Sequence, residues 1–202
     1  MDTKKILIIG AFTNGEAAKD EFAIRQYWGA TEVEYCGSNG RVVARLTHGP
    51  ALAVVPIYNS IVGEITEVTH AIEAARASGY TFSEVDRIDL PINQCLMSPR
   101  YVTQASEMKQ VFSHREALRQ CRGYLTALGI SREHRFECPS TGAAAEAVAR
   151  LHADDDEHFV AAIAPRAAAA HYGLRLLAEN IQDDPKAFTT FILIKHAGPD
   201  DA

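Results

Sequence analysis

The chain has 202 residues, 47% of them apolar and 23% charged, with 26 acidic against 20 basic side chains and a formal net charge of −6. That is enough apolar chain for a real core, in one domain or two small lobes. The acidic balance, with no Lys/Arg run, argues against nucleic acid and against an anionic membrane surface as partners. The apolar part of the N-terminus, Ile6-Leu-Ile-Ile9, is too short for a signal peptide, and no apolar run approaches the roughly 20 residues that span a bilayer. A cytoplasmic location is therefore expected.

The four cysteines (Cys36, Cys95, Cys121, Cys138) include no Cys-x-x-Cys pair and read as reduced thiols. The eight histidines show neither His-x-x-x-His nor His-Glu-x-x-His spacing, so no metal site is expected.

In chain order, residues 4–9 read as a buried strand, 11–15 as a loop and 16–28 as a helix. This opening lacks Gly-x-Gly-x-x-Gly and Gly-Lys-Ser/Thr, so neither a dinucleotide nor a phosphate loop is indicated. Residues 33–36 read as a strand, 39–46 as a helix and 51–55 as a buried strand. A turn is expected at 56–60, with Asn59 and Ser60 placed to cap a helix over 63–77.

Residues 81–86 read as a connector and 88–96 as one long strand crossing into a second lobe. A strand is expected at 108–112, then a helix from Ser113-His114 to about Leu128, with Ala117, Leu118, Cys121, Leu125 and Leu128 spaced by three and four. Residues 135–138 read as a strand, and Ser140-Thr141 as the cap of an alanine-rich helix. The run Asp154-Asp-Asp-Glu157 reads as a solvated surface rather than a cation site. A strand at 159–163, a helix opened by Pro165 and closed near Gly173, and a short frayed tail after His196 complete the pass.

The stretch before that tail carries the most information. Residues 180–188 are polar and include Pro185, whereas Phe191-Ile-Leu-Ile194 is a continuous apolar run, the pattern of a strand covered on both faces. Thr189 and Thr190 sit where polar chain enters that strand, either as ordinary strand-end threonines or as ligand contacts. The alternation of strands and helices gives an α/β class with mostly parallel sheets. The division expected is lobe one from 1–90 plus 180–202 and lobe two from 91–179.

Three small polar pairs, Asn59-Ser60, Ser113-His114 and Ser140-Thr141, read as strand ends that open helices. Free N–H groups and a partial positive charge at such ends make an anion cradle if they converge, and plain helix caps if they do not. His114 is a candidate general acid/base or a turn-orienting residue. Gln120 is a candidate ligand contact or a surface glutamine.

At these residues the chain resembles the catalytic domain of prephenate dehydratase. Val55-Pro-Ile-Tyr-Asn-Ser-Ile-Val-Gly63 is similar to the family's Val-Pro-x-Glu-Asn-Ser-x-x-Gly. Val111-Phe-Ser-His-Arg-Glu-Ala-Leu-Arg-Gln-Cys121 is similar to its Ser-His-Pro-x-Ala-Leu-x-Gln-Cys, and Ser140-Thr-Gly-Ala-Ala144 to its Ser-Thr-x-x-Ala. Ala161-Ala-Ile163, Tyr172-Gly-Leu174 and Asn180-Ile-Gln-Asp183 follow in the family's order.

The resemblance implies a two-lobed fold like type II periplasmic binding proteins, with prephenate or a related cyclohexadienyl dicarboxylate in the cleft. It implies no cofactor and a homo-oligomer. Asn59, Ser60, Ser113, Gln120, Ser140 and Thr141 would hold the substrate, and Thr189 would match the catalytic threonine of Thr-Arg-Phe, with Phe191 as its phenylalanine.

Four departures bear on the chemistry. Tyr58 stands where the family has glutamate, Thr190 where it has arginine and Ala187 where it has asparagine. The N-terminal Gly-Thr-Phe-Ser is blurred to Ala11-Phe-Thr-Asn14. The phenylalanine-sensing regulatory domain is also not found after the catalytic part. These losses favour a subgroup of non-aromatising prephenate decarboxylases of specialised metabolism, antibiotic biosynthesis included, which keep the ring hydroxyl and yield a dihydro-4-hydroxyphenylpyruvate. Thr189 and the Ser-His…Gln-Cys motif favour dehydration to phenylpyruvate in phenylalanine biosynthesis instead. A non-catalytic binder of small carboxylates is the remaining alternative.

Overall fold

A computed structural model describes residues 5–8, 28–29, 32–36, 38–48, 52–151 and 159–196. The loop expected at 11–15, all but the end of the helix at 16–28, the acidic run at 154–157 and the tail after His196 lie outside the described residues. Two compact units divide the chain: unit one is built from residues up to Pro91 and again from Lys186, and unit two from Ile92–Pro185.

Unit one is a six-stranded sheet. Its strands are β1 (Lys5–Ile8), β2 (Glu32–Tyr35), β3 (Leu52–Asn59), the two-residue β4 (Gly63–Glu64), β5 (Phe82–Pro91) and, from the far end of the chain, β11 (Phe188–His196). The order is β2-β1-β3-β11-β5, with β4 on β3. Helices α1 (Asn39–Leu46) and α2 (Thr66–Ala77) belong to the same unit. The apolar run in β11 is covered on both sides, as its sequence requires. Phe191 and Leu193 pack with Ile6, Val54 and Leu90, while Ile192 and Ile194 pack with Ala53, Val55 and Val68. Each such fully covered side chain contributes about 1.5–3 kcal/mol.

Unit two is a five-stranded sheet in the order β10-β6-β9-β7-β8, from β6 (Cys95–Ser98), β7 (Gln110–Ser113), β8 (Arg135–Glu137), β9 (Val160–Ala164) and β10 (Arg175–Glu179). Its helices are α3 (Arg115–Gln120), α4 (Arg122–Ala127), α5 (Thr141–Ala149) and α6 (Arg166–Tyr172). Leu96, Val111, Ala161 and Ile163 face one core, and Cys95, Met97, Val160, Ala162 and Ala164 face another. The last of these helices ends at Gly173, whose φ of 68° is the left-handed cap position that glycine fills without strain.

Five expectations change. The sheets are mixed rather than mostly parallel: β2-β1-β3 and β9-β7-β8 run parallel, while β3-β11-β5 and β10-β6-β9 run antiparallel. The chain leaves unit one along β5 and re-enters it along β11, and long strands used in opposite directions pair antiparallel.

The turn expected at 56–60 is strand. The β11 register steps from Thr190↔Tyr58 to Phe191↔Pro56, skipping Ile57. A bulge there tolerates the missing N–H of Pro56.

The connector at 81–86 is also strand, and the long strand over 88–96 stops at Pro91 and restarts at Cys95. As the sheet's edge, β5 exposes Glu84 to Arg87 and so lacks a strand's apolar alternation. The helix expected from 113 to 128 is two helices meeting at Cys121, whose φ of −110° is not helical.

Candidate functional site

In unit one the polar candidates meet where β3 and β11 pair. Thr189 lies opposite Asn59, and Thr190 opposite Tyr58. Asn59 Oδ1 accepts from the N–H groups of Ile61 (2.9 Å) and Val62 (3.3 Å). The side-chain oxygen therefore closes a turn of its own instead of capping α2, whose N-cap is Ile65 with no side-chain bond. With its oxygen so engaged, Asn59 directs Nδ2 at Thr189 Oγ1, 3.2 Å away. Thr189 accepts this bond, so its own proton is left to donate elsewhere.

Ser60 fixes the entry to β11 twice. Its N–H donates to the Phe188 carbonyl at 2.9 Å, and its Oγ accepts from the Phe188 N–H at 2.9 Å. Tyr58 is 42% exposed, with its ring 6.2 Å from that of Phe188. Thr190 is buried and donates its hydroxyl to Asp89 Oδ1 at 2.6 Å. Position 190 therefore supplies no cation, and its hydroxyl proton is committed to a carboxylate of the neighbouring strand. Phe191, a candidate contact by its motif, is 7% exposed and belongs to the core with Val54 and Leu193. Side chains alternate along a strand, and the bulge at Ile57 sets which face it takes.

In unit two, Ser113 is fully buried and donates Oγ to the Ile163 carbonyl at 2.6 Å. That bond ties β7 to β9 and commits the hydroxyl proton, so the residue is built into the sheet rather than turned outward. His114 is the N-cap of α3: its Nδ1 accepts from the Glu116 N–H at 3.3 Å. A ring nitrogen that accepts is unprotonated, which leaves the imidazole proton on Nε2. Ser140 caps α5 by accepting from the Ala143 N–H at 3.0 Å. Thr141, the first residue of that helix, is 6% exposed, and its buried Oγ1 has no hydrogen-bond partner. Of the three polar pairs, two open helices as expected and Asn59-Ser60 does not.

Gln120 is not a surface residue. It is 8% exposed, and its Oε1 accepts from Gln94 Nε2 at 3.1 Å. The opposite amide orientation would bury two unmatched Gln94 protons instead of the one orphan acceptor present, Gln94 Oε1. Gln120 therefore presents its own N–H pair away from Gln94.

The segment after β10 holds this arrangement in place. The Gln94 N–H donates to Gln182 Oε1 at 3.0 Å, and the Ile181 N–H to the Gln94 carbonyl at 3.0 Å. The Asp183 N–H donates to the Gln120 carbonyl at 2.7 Å. The Asp183 carboxylate accepts from the Gly123 N–H at 2.9 and 3.0 Å, at the start of α4. Behind it, burial pushes the Cys121 thiol pKa far up, and the nearby charge of Asp183 adds to the shift.

Sequence reasoning missed Asp89, Gln94 and the work of Gln182 and Asp183. The last two lie in a quoted motif with no role attached. For Gln94 no local pattern gave a signal. Among the described residues there is no group of three or more His, Cys, Asp or Glu able to hold a metal ion. No helix among them is long and apolar enough to cross a membrane.

The two units define an α/β protein of the two-lobed class that type II periplasmic binding proteins share. The solved prephenate dehydratases from Arthrobacter aurescens, in complex with L-Phe, and from Staphylococcus aureus have this fold. Their TM-scores are 0.75 and 0.73 at 28% and 25% identity, covering 96% and 95% of this chain and 61% and 66% of theirs.

The family model for prephenate dehydratase matches residues 9–199, and the chain belongs to that family. Prephenate dehydratase of Methanocaldococcus jannaschii is 30% identical over 166 residues, 82% of this chain and 55% of that protein. An arogenate dehydratase/prephenate dehydratase of Arabidopsis thaliana is 37% identical over 142 residues, 70% of this chain and 33% of that protein. The chain thus spans from a third to just over half the length of these relatives.

Proposed function

We propose that this chain is a lyase that decarboxylates prephenate and releases the ring unaromatised, as a dihydro-4-hydroxyphenylpyruvate. The observation that carries the unaromatised outcome is Thr190, which stands where the family has arginine and gives its proton to Asp89; the Asn59–Thr189 pair supports action on prephenate by either course. The donor to Thr189 Oγ1 is fixed, so the threonine proton is available to donate to a ligand. Prephenate carries the groups such a proton can meet, a ring carboxylate and a ring hydroxyl. The substrate contacts proposed on unit one are Asn59, Ser60 and Thr189, with Tyr58 next in sequence to Asn59; those proposed on unit two, taken by itself, are Gln120, Ser140 and Thr141. Thr141 is included because its buried hydroxyl has no hydrogen-bond partner among the described residues. His114 and Ser113 serve as helix cap and sheet tie, Thr190 as a partner of Asp89, and Phe191 as core.

Decarboxylation breaks the bond from the ring to its carboxylate, CO₂ leaves, and the electron pair enters the diene. In a dehydratase that pair expels the ring hydroxyl, which leaves as water once protonated by a placed acid. In a decarboxylase a proton is delivered to ring carbon and the hydroxyl stays. Position 190 offers no guanidinium to hold the departing charge, and position 58 is a phenol instead of a carboxyl. Both favour the second course. The system needs no added electron sink, and a cytoplasmic setting fits such a substrate. Dehydration to phenylpyruvate is the second reading, favoured by the retained Thr189 and by the relatives' names.

Incubation of the protein with fresh prephenate against an enzyme-free control, with products resolved by NMR, separates the readings. Loss of CO₂ with a new sp³ ring C–H signal, beside retained olefinic protons and an intact carbinol, establishes the decarboxylase. Aromatic protons of phenylpyruvate establish the dehydratase. Unchanged prephenate refutes both and leaves a binder, which calorimetry with prephenate would detect.

A further inference from the structure

Unit two carries a groove of about 740 Å³ lined by Arg115, Arg119, Arg122, Arg132, Arg135 and one carboxylate, Glu137. None of the residues proposed above for prephenate lines it. Five of the chain's 20 basic residues gather here in a protein whose net charge is −6. Like charges so concentrated repel, and the arrangement is stable in isolation only with counter-charge.

The counter-charge near these arginines is partial: the Asp183 carboxylate, bound at Gly123, acts on Arg135. Glu137 reaches Arg115 only at 3.9 Å, and Glu116 engages Arg119 at 3.2 Å. Arg122 and Arg132 have no carboxylate within ion-pair distance among the described residues.

Arg135 shows that the groove is partly organised in advance. Its Nε and Nη2 donate to the Ile130 carbonyl at 3.1 and 2.7 Å, and Nη2 also donates to Thr126 Oγ1 at 3.1 Å. A guanidinium pinned to main chain keeps its full charge, since carbonyls do not neutralise it. Burial pushes its pKa down and the charge of Arg122 pushes the same way, while the Asp183 carboxylate offsets part of the shift.

The lining also excludes ligand classes. It holds Leu118 and Ile130 but no aromatic ring, so nothing offers a stacking face to a nucleobase. The volume matches a small molecule, and planar guanidinium forks match phosphate and carboxylate oxygens.

We infer that this groove is a second ligand site, for a small polyanion bearing several phosphate or carboxylate groups. Arg122 and Arg132 supply the free cations and Arg135 the fixed one.

The test is isothermal titration calorimetry of the full chain at low ionic strength, with sodium pyrophosphate and, separately, citrate. Saturable one-to-one binding of either is expected, weakening steeply with salt. Pyrophosphate alone would mark a phosphate site, and citrate a carboxylate site. The Arg122→Gln/Arg132→Gln variant should lose at least tenfold in affinity and each single variant at least threefold, while Arg175→Gln, a change of one charge elsewhere on the unit, should lose less than twofold. Circular dichroism melting confirms that the variants fold, and prephenate turnover by the double variant should be unchanged. Absence of saturable binding to the wild-type chain overturns the inference. So does equal weakening by Arg175→Gln. Competitive inhibition of prephenate turnover that survives the double substitution would place the anion elsewhere, with the same consequence.

Discussion

Gly123→Ala tests whether the segment after β10 holds Gln120 in place. A Cβ at position 123 would lie 2.9 Å from Asp183 Oδ1 and 3.4 Å from its Cγ. The carboxylate must move, and it loses the Gly123 N–H that it accepts at 2.9 and 3.0 Å. A hydrogen bond to a charged acceptor contributes about 1.5–3 kcal/mol net, and this one lies at the surface, toward the low end of that range. Against it, alanine inside a helix is favoured over glycine by about 1 kcal/mol. The net expectation is a destabilisation of about 0.5–2 kcal/mol, measured by urea denaturation.

The sign should reverse when the carboxylate is absent. In an Asp183→Ala background the clash is gone and only the helix preference remains, so Gly123→Ala should then stabilise by up to about 1 kcal/mol. A wild-type background in which Gly123→Ala is neutral or stabilising would refute the reasoning, as would equal effects in both backgrounds.

Three further outcomes follow from the geometry. Thr189→Ala should lower kcat on prephenate by about 10²–10⁴-fold while leaving the melting temperature nearly unchanged, and Thr189→Ser should keep most of the rate; full activity of the alanine variant would remove Thr189 from the chemistry. Gln94→Met keeps the volume but removes both the donor to Gln120 and the orphaned oxygen, so stability should change by less than about 1 kcal/mol while KM for prephenate rises about tenfold. A KM equal to wild type, with Gln120→Ala impaired, would show that Gln94 does not orient that amide. Finally, none of the four cysteines is in a disulfide, and burial raises the Cys121 pKa far above that of an ordinary thiol, so little thiolate forms there at any working pH. Alkylation of the native protein at pH 8, followed by mass spectrometry, should modify half-buried Cys138 first and Cys121 only on unfolding; equal rates would contradict the burial argument.

The sequence by itself determined the elements whose side chains state their own surroundings. The run Phe191-Ile-Leu-Ile194 carried the pattern of a strand covered on both faces, against the plainer reading of an edge strand, and it is covered on both. Ser140 announced a helix start and Gly173 a helix end, because caps are local chemistry within four residues of chain. The family's motifs were legible for the same reason, as short ordered strings.

What only the tertiary structure decided involves partners far away in sequence. The partnership of Thr189 with Asn59 spans 130 residues, and that of Gln94 with Gln182 spans 88. No window of chain contains both members of either pair. The break at Cys121, the strand through Pro56 and the polar edge strand β5 likewise reflect pairing and packing that override local pattern. The candidate residues were therefore named by sequence, but their hydrogen-bond duties were not. Ser113, Thr190 and Phe191 were named as ligand contacts by motif; the first two give their protons to partners inside the fold, and the third packs in the core. A hydroxyl has one proton to give, and which neighbour takes it is settled by the fold.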